Sequence, residues 1–409
     1  MRVPKIRLNG FLSEWMIAPL KHFAKKSTEK NSANTYTETF TNSAEHGVIS
    51  QRDFFDHDIS NQSNISGYYI IHPNHFVYNP RVSVTAPVGP INKNNLDRSG
   101  VMSPLYLIFS VDGIDKEYLA YFFKTKLWHK YMLINGNCGA RFDRLSISDD
   151  LFMAMPITIP CDPTEQVQIA EYFKTLDSLI EAKTKKIASL KQTKQACLQS
   201  LFPQPGETKP RIRFNGFASS WEKRPLSDCL EISNETNIDN KYCKEDVLSV
   251  SDEVGVVNQI KHLGRSFAGK SVTNYGVLKT GQIVYTKSPL KSKPFGIIKQ
   301  NLGDTGIVSV LYAVYDVKEG VDAGYIHYYF DPAWRLNNYI RPLVNKGAKN
   351  TMNISDETAL EGYITIPSLA EQQKIASFFI NLDKQIALYE QGLEKLKNVK
   401  KACLDSMFV

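Results

Sequence analysis

Two stretches of this 409-residue chain carry apolar residues at alternating steps of four and three. In the first the stripe is Ile169, Phe173, Leu176, Ile180, Ile187, Leu190, Cys197 and Leu201, interrupted by Lys183 and Lys194. In the second it is Ile375, Phe379, Leu382, Ile386, Tyr389, Leu393, Leu396, Cys403 and Met407, interrupted by Lys400. This period predicts a long helix with a narrow coiled-coil seam in each case. A lone helix cannot bury such a seam, so each stretch predicts the other as its partner. Asp162 with Glu165, and Ser368 with Glu371, have the spacing of a capping box, and Pro163 sits where a first helical residue tolerates proline. Pro203 stops the first helix, and the second runs to the end of the chain. At about 1.5 Å per residue each helix spans on the order of 55–60 Å. Gly392 lies inside the second helix, off the seam, at a cost of about 1 kcal/mol relative to alanine, and predicts at most a bend.

Outside the helices the pattern changes. Apolar runs rich in β-branched and aromatic residues alternate with polar turns: YYII at Tyr68, HFVY at His75, LYLIF at Leu105, QIVY at Gln282 and IVSVLYAVY at Ile307. These read as strands, and amphipathic helices are expected near Glu117 to Leu133 and near Gly324 to Ile340.

The two halves are copies. EQVQIAEYFKTLDSLI from Glu165 aligns without a gap to EQQKIASFFINLDKQI from Glu371, at an offset of 206 residues. KIRLNGFLSEW from Lys5 aligns to RIRFNGFASSW from Arg211 at the same offset. GVMSPLY at Gly100 faces GIVSVLY at Gly306, GAR at Gly139 faces GAK at Gly347, and ITIP at Ile157 faces ITIP at Ile364. A repeat this long means duplicated domains, not a solenoid. The expected organisation is a domain over 1–160, a helix over 161–202, a linker over 203–210, a second domain over 211–367 and a second helix over 368–409. The fold class is α+β: a mixed α/β domain followed by a long helix, duplicated in tandem, with the two helices pairing as an antiparallel coiled coil. Similarity is uneven, since His22 to Ile71 hardly aligns with Asp228 to Leu278 while the ends of each copy align well.

Composition narrows the function. No run of eighteen apolar residues predicts a membrane span, and MRVPKIRLNGF lacks the apolar core of a signal peptide. Six scattered cysteines without C-x-x-C spacing fit reduced thiols in the cytoplasm. The net charge of +7 permits a polyanionic partner without demanding one. There is no G-x-G-x-x-G and no P-loop signature, and no Cys/His cluster with zinc spacing. His72 and His75 lack a third ligand in register. Asn79-Pro80-Arg81 lacks the second proline and the aromatic of the Asn-Pro-Pro-aromatic loop found in amino-methyltransferases.

What stands out instead is a set of polar, basic loops after strands. Asn79 and Arg81 follow one strand, and Lys287, Ser288, Lys291 and Lys293 follow the equivalent strand of the second copy. Asn92, Lys93, Asn94 and Arg98 form another cluster, Arg265 and Lys270 a third, and Arg141 and Lys349 flank the matched glycines. Each of these taken singly could be ordinary solvated surface. Lys and Arg suit phosphate contacts, and Arg, Lys, Asn and Gln pair with purine edges. Together, at equivalent places in both copies, they are candidate DNA contacts. Lys287, nearest its strand, is expected to reach a base, and Lys291 and Lys293 to reach phosphates.

The paired EQxxIAxxFxxLDxxI helix starts, each after ITIP, together with the N-G-F-x-x-x-W segments at Asn9 and Asn215, resemble the DNA-specificity subunit of type I restriction–modification systems. The resemblance covers essentially the whole chain. It implies two target recognition domains, each reading one half of a split sequence in double-stranded DNA. It implies helices that space the domains and dock two methyltransferase subunits, with the two copies related by a pseudo-two-fold axis. Because the copies differ internally, the target is expected to be asymmetric. No catalysis and no cofactor belong to this chain; S-adenosylmethionine, ATP and Mg²⁺ are expected on the methyltransferase and restriction motor–nuclease partners. Two other readings stay open on the residues alone: an enzyme with an unrecognised site, and a coiled-coil tether whose domains bind protein.

Overall fold

The computed structural model describes residues 3–54, 65–138, 143–269, 271–287, 289–346 and 352–409. The chain forms two compact units, residues 1–184 with 392–409, and residues 185–391. The long helices are Pro163–Ser200 and Leu369–Met407, so each contributes to both units. Packing therefore divides each helix between units, where the sequence treats each as a segment of its own. Among the described residues no helix is long and apolar enough to cross a membrane.

The first unit is built on a four-stranded antiparallel sheet in the order Ala24–Ser27, Leu107–Val111, Phe76–Tyr78, Ile91–Lys93. Its two central strands, FVY and LIFSV, are mostly apolar because both of their faces are covered. Phe76, Tyr78, Leu107 and Phe109 enter the main core, while Val77 and Ile108 point to a smaller core with Phe40, Val48, Ile71 and Met102. A second ladder pairs Trp15–Pro19 with Pro156–Pro160, burying Trp15 and leading from ITIP into the helix.

The second unit repeats this plan. Its sheet runs Leu230–Ile232, Tyr312–Val317, Ile283–Thr286, Ile297–Gln300, and Glu222–Pro225 pairs with Tyr363–Ile366. Ile283, Tyr285 and Tyr315 enter one core, Val284 and Val314 another. The run IVSVLYAVY is two strands, Gly306–Val308 and Tyr312–Val317, separated by a turn at Ser309.

Each expected amphipathic helix is broken in two. In the first unit Lys116–Phe122 and His129–Asn135 are separated by a turn in which Thr125 Oγ1 donates to the Phe122 carbonyl at 2.7 Å. In the second, Pro332 separates Ala323–Phe330 from Ala333–Ile340, since proline has no N–H to continue the ladder.

The capping boxes do not form. Asp162 Oδ1 does accept the Thr164 N–H at 2.8 Å. Glu165, however, is fully buried and takes both Nε and Nη2 of Arg7, at 2.7 and 2.8 Å. Glu371 does the same with Arg213, at 2.6 Å for each bond. The next residue also ties helix to domain: Gln166 donates to the Pro160 carbonyl and accepts from Asp115 N–H, and Gln372 pairs likewise with Pro367 and Asp322. The Glu-Gln pair that opens each helix is thus a clamp on its own domain.

The helices lie antiparallel within each unit. In the first, Tyr172 meets Cys403 and Asp177 meets Lys400; in the second, Lys191 meets Glu390 at 2.7 Å and Lys194 meets Asp383 at 2.8 Å. Lys194 and Lys400, which interrupt the apolar stripes, thus have counter-charges on the facing helix. Asp177 also accepts from Tyr121 and Asp383 from Tyr328, both at 2.8 Å, so helix, facing helix and domain meet at one carboxylate. Sliding either helix by a heptad would set Ala376 or Glu390 opposite Lys194, and Ala170 or Thr184 opposite Lys400. No such slip keeps both pairs, and a half-buried lysine without a counter-charge is costly. These pairs fix the register as a polar residue in a coiled-coil seam does. Leu190 packs with Leu382 and Ile386, and the second helix continues unbroken through Gly392. The end of each helix enters a core: Phe408 lies against Tyr118, Phe122 and Phe173 in the first unit, and Phe202 against Tyr325, Tyr329 and Phe379 in the second.

Candidate nucleic-acid interface

The candidate loops begin where the central strand of each sheet ends, and a glycine turn allows the chain to fold back over that end. Gly89 (φ +81°) and Gly296 (φ +90°) occupy equivalent places; a Cβ there would lie 2.1 Å from the Asn79 carbonyl and 1.8 Å from that of Thr286. Only glycine combines the positive φ with that approach.

In the first unit the expected contacts fall into two groups. Asn92, Lys93 and Asn94 are turned inward. Asn92 is buried, donating to Asn42 Oδ1 at 2.7 Å and to the Ser43 carbonyl at 3.1 Å, and accepting from Lys124. Lys93 is buried against Glu117 and Asn74. Asn94 closes the following loop, donating to the His72 and Arg98 carbonyls and accepting from Leu96 N–H. These groups are spent inside the domain, because Ile91–Lys93 is an edge strand covered by neighbouring elements. They are therefore left out of the contact set.

Asn79 is also partly committed, with Nδ2 on the Asn42 carbonyl at 3.1 Å and Oδ1 on Arg81 N–H at 3.0 Å. Arg98 is exposed and holds Glu38 through two bonds of 2.7 and 2.8 Å; the Arg98 hydrogen bond keeps the Glu38 carboxyl below its usual range. Arg81 is exposed, and its backbone bridges to Arg144, a residue outside the sequence-predicted clusters. No local signal marks Arg144, because strand pairing across more than sixty residues brings it there.

In the second unit Lys293 is 4 % exposed, with Nζ bonded to Asp252 at 2.5 Å and to the Asp331 carbonyl at 2.7 Å. It anchors its loop to the domain, so it too leaves the contact set; burying an ammonium demands such partners. Lys287 is half-buried on Asp356 at 2.6 Å. Lys291 is exposed, with no side-chain partner among the described residues. Arg265 lies over the ring of the exposed Phe267 at 4.6 Å, a cation–π pair open to solvent. Arg141, Lys270, Ser288 and Lys349 lie outside the described residues.

Beneath the second unit's loops Asp331 gathers Lys299 at 2.5 Å and Lys194 at 3.5 Å. Burial pushes the Asp331 carboxyl up, but these lysines outweigh it and hold it well below the usual carboxylate range. Burial, reinforced by Lys299, pushes the His327 imidazole down to about 3, and its Nδ1 accepts the Gln300 N–H. His72 hydrogen-bonds Ser99 and Glu29, each at 2.9 Å.

Residues 218–398 match the family model of the type I restriction modification DNA specificity domain. The fold is similar to that of the type I restriction–modification system S subunit from M. genitalium, at 12% identity over 100% of this chain and 99% of that one, with a TM-score of 0.57. It is also similar to a chain from a structure on complex assembly and conformational transition of the type I R-M system, at 13% identity over 98% and 99%, TM-score 0.50. At such identity these two likenesses speak to fold alone. The matched segment holds the second unit's sheet, Glu371 and most of the second long helix, and is similar to the type I restriction–modification DNA specificity domain.

Proposed function

We propose that this non-catalytic specificity subunit reads an asymmetric bipartite target in double-stranded DNA, the recognition domain of each unit reading one half. The observation that carries this reading is the contrast between the frame and the loops it supports. Clamp, ladder, sheet order and helix pairing recur in both units, while the loops after the central strand carry different side chains: Asn79 and Arg81 in one unit, Lys287 and Lys291 in the other. Two readers of unlike chemistry on a common frame suit two unlike half-sites. Exposed Arg81, Arg98, Arg265 and Lys291 supply the backbone and base contacts. The helices space the domains and dock two methyltransferase subunits, which bring S-adenosylmethionine; restriction motor–nuclease subunits bring ATP and Mg²⁺. The complex works in the cytoplasm.

The test is methylation mapping in a host without other adenine methylation, carrying this chain and its methyltransferase partner. A single split motif with unlike halves is expected. A palindromic motif, or no methylation despite an intact complex, would contradict the reading.

A further inference from the structure

Arg81 and Arg144 stand directly opposite each other in an antiparallel bridge of the first unit. The flanking bonds run from Val82 N–H to the Asp143 carbonyl and from Leu145 N–H to the Pro80 carbonyl, both 2.9 Å. That pattern defines a non-hydrogen-bonded pair, in which opposite Cα atoms approach to about 4.5 Å and both side chains leave from one face. Two guanidinium groups therefore project side by side. Like charges directly opposite destabilise a strand pair, so the arrangement costs stability unless an anion lies against it.

The described residues supply one, at the limit of an ion pair and to one arginine alone. The Arg81 side chain has no partner among them, and the nearest carboxylate to Arg144 is Asp143, at 4.0 Å. Both arginines line an open cleft of ≈ 500 Å³ whose walls carry hydroxyls, Thr41, Ser83 and Tyr106 among them. The one carboxylate on the cleft, Glu45, is exposed and pairs with neither arginine.

We propose that Arg81 and Arg144 form a clamp for one backbone phosphodiester of duplex DNA. The inference rests on the DNA-reading function above and adds its anchoring point. A guanine edge accepts one guanidinium fork, whereas a phosphodiester offers oxygens to two donors converging from one face and cancels their repulsion. Such a contact sets the position of the duplex and carries no sequence information itself. The second copy has no such pair in its sequence: at an offset of 207 residues Ser288 aligns with Arg81 and Thr351 with Arg144.

The test uses the full chain in complex with its methyltransferase subunits, bound to a target duplex and to a mixed-sequence duplex across a salt series. Arg81→Ala and Arg144→Ala should each weaken binding to target and mixed-sequence duplexes by equal factors, and the double variant should reduce the salt slope by about one unit, the count for one phosphate. Arg144→Lys should keep most of the slope. Thermal melting of the free chain should be unchanged or raised in the alanine variants, because a repulsion has been removed. If the wild-type complex binds DNA and the double variant keeps its salt slope, the clamp is refuted while DNA reading stands. Loss confined to the target duplex would make the pair a base reader instead. A lowered melting temperature with unchanged binding would make it structural. A wild-type complex that binds neither duplex would overturn both readings.

Discussion

In the first unit the carboxylate of Asp177 takes bonds from Tyr121 and Lys400; in the second, Asp383 takes them from Tyr328 and Lys194. One step further into the domain the units part. Lys124 of the first unit donates to a neutral amide, Asn92, whereas in the second a carboxylate, Asp331, stands in the place of Lys124 and accepts from Lys299, in the place of Asn92. The contact has been kept, with a carboxylate in the place of the lysine and a lysine in the place of the amide. The lysine of the facing helix then meets opposite surroundings: Lys194 lies 3.5 Å from Asp331, while Lys400 adds to the positive charge felt by Lys124. The helix–helix–domain contact is thus held fixed, while the layer between it and the loops differs in charge. That layer is where two domains on one frame can come to carry different loops.

Three substitutions probe this contrast, from the largest expected effect to the smallest. Leu190→Glu places a charge among Leu382 and Ile386, and a loss of about 4 kcal/mol is expected from the lost packing and the buried charge. Denaturant melts and complex mass by light scattering should show a loosened second unit and failed assembly; intact assembly would mean the helices do not depend on this seam. Asp331→Asn leaves Lys194, Lys293 and Lys299 sharing fewer carboxylates in a buried site, and should cost about 3 kcal/mol. A neutral effect by denaturant titration would show that the network is not what holds this layer.

Lys124→Met in the first unit should be nearly neutral or stabilising, because it removes a buried ammonium facing Lys400. Burial and then Lys400 hold the Lys124 pKa below its ordinary value. The unfolded chain therefore binds this proton more tightly, and the penalty is greatest at neutral pH. It fades as pH rises through the depressed value towards the unfolded one. Melts at rising pH should show wild type converging on the variant; divergence would put the sign of the shift in error.

Much of the frame was legible in the sequence, and for identifiable reasons. The four-three stripes gave both helices because a seam repeats over many turns. The repeat at offsets of 206 and 207 gave the equivalence of the two sheets. The glutamates at 165 and 371 were visible as helix-start residues, but their true partners, Arg7 and Arg213, lie 158 residues earlier, beyond any local rule. The loops were less legible. Asn92, Lys93, Asn94 and Lys293 look like surface residues by type, yet each is buried by a partner contributed from elsewhere. Arg144 drew no notice, since only strand pairing brings it beside Arg81.

The claim that one frame carries two independent readers is tested most directly by exchange. His22 to Ile71 and the loops up to Arg98, the part of the first copy that includes its most divergent stretch, are replaced by the matching region of a type I specificity subunit, and the methylated motif is mapped in the host genome. Two independent readers predict that one half-site changes while the other half and the spacer between them stay as they were. A change in both half-sites, or in neither while methylation continues, would contradict it.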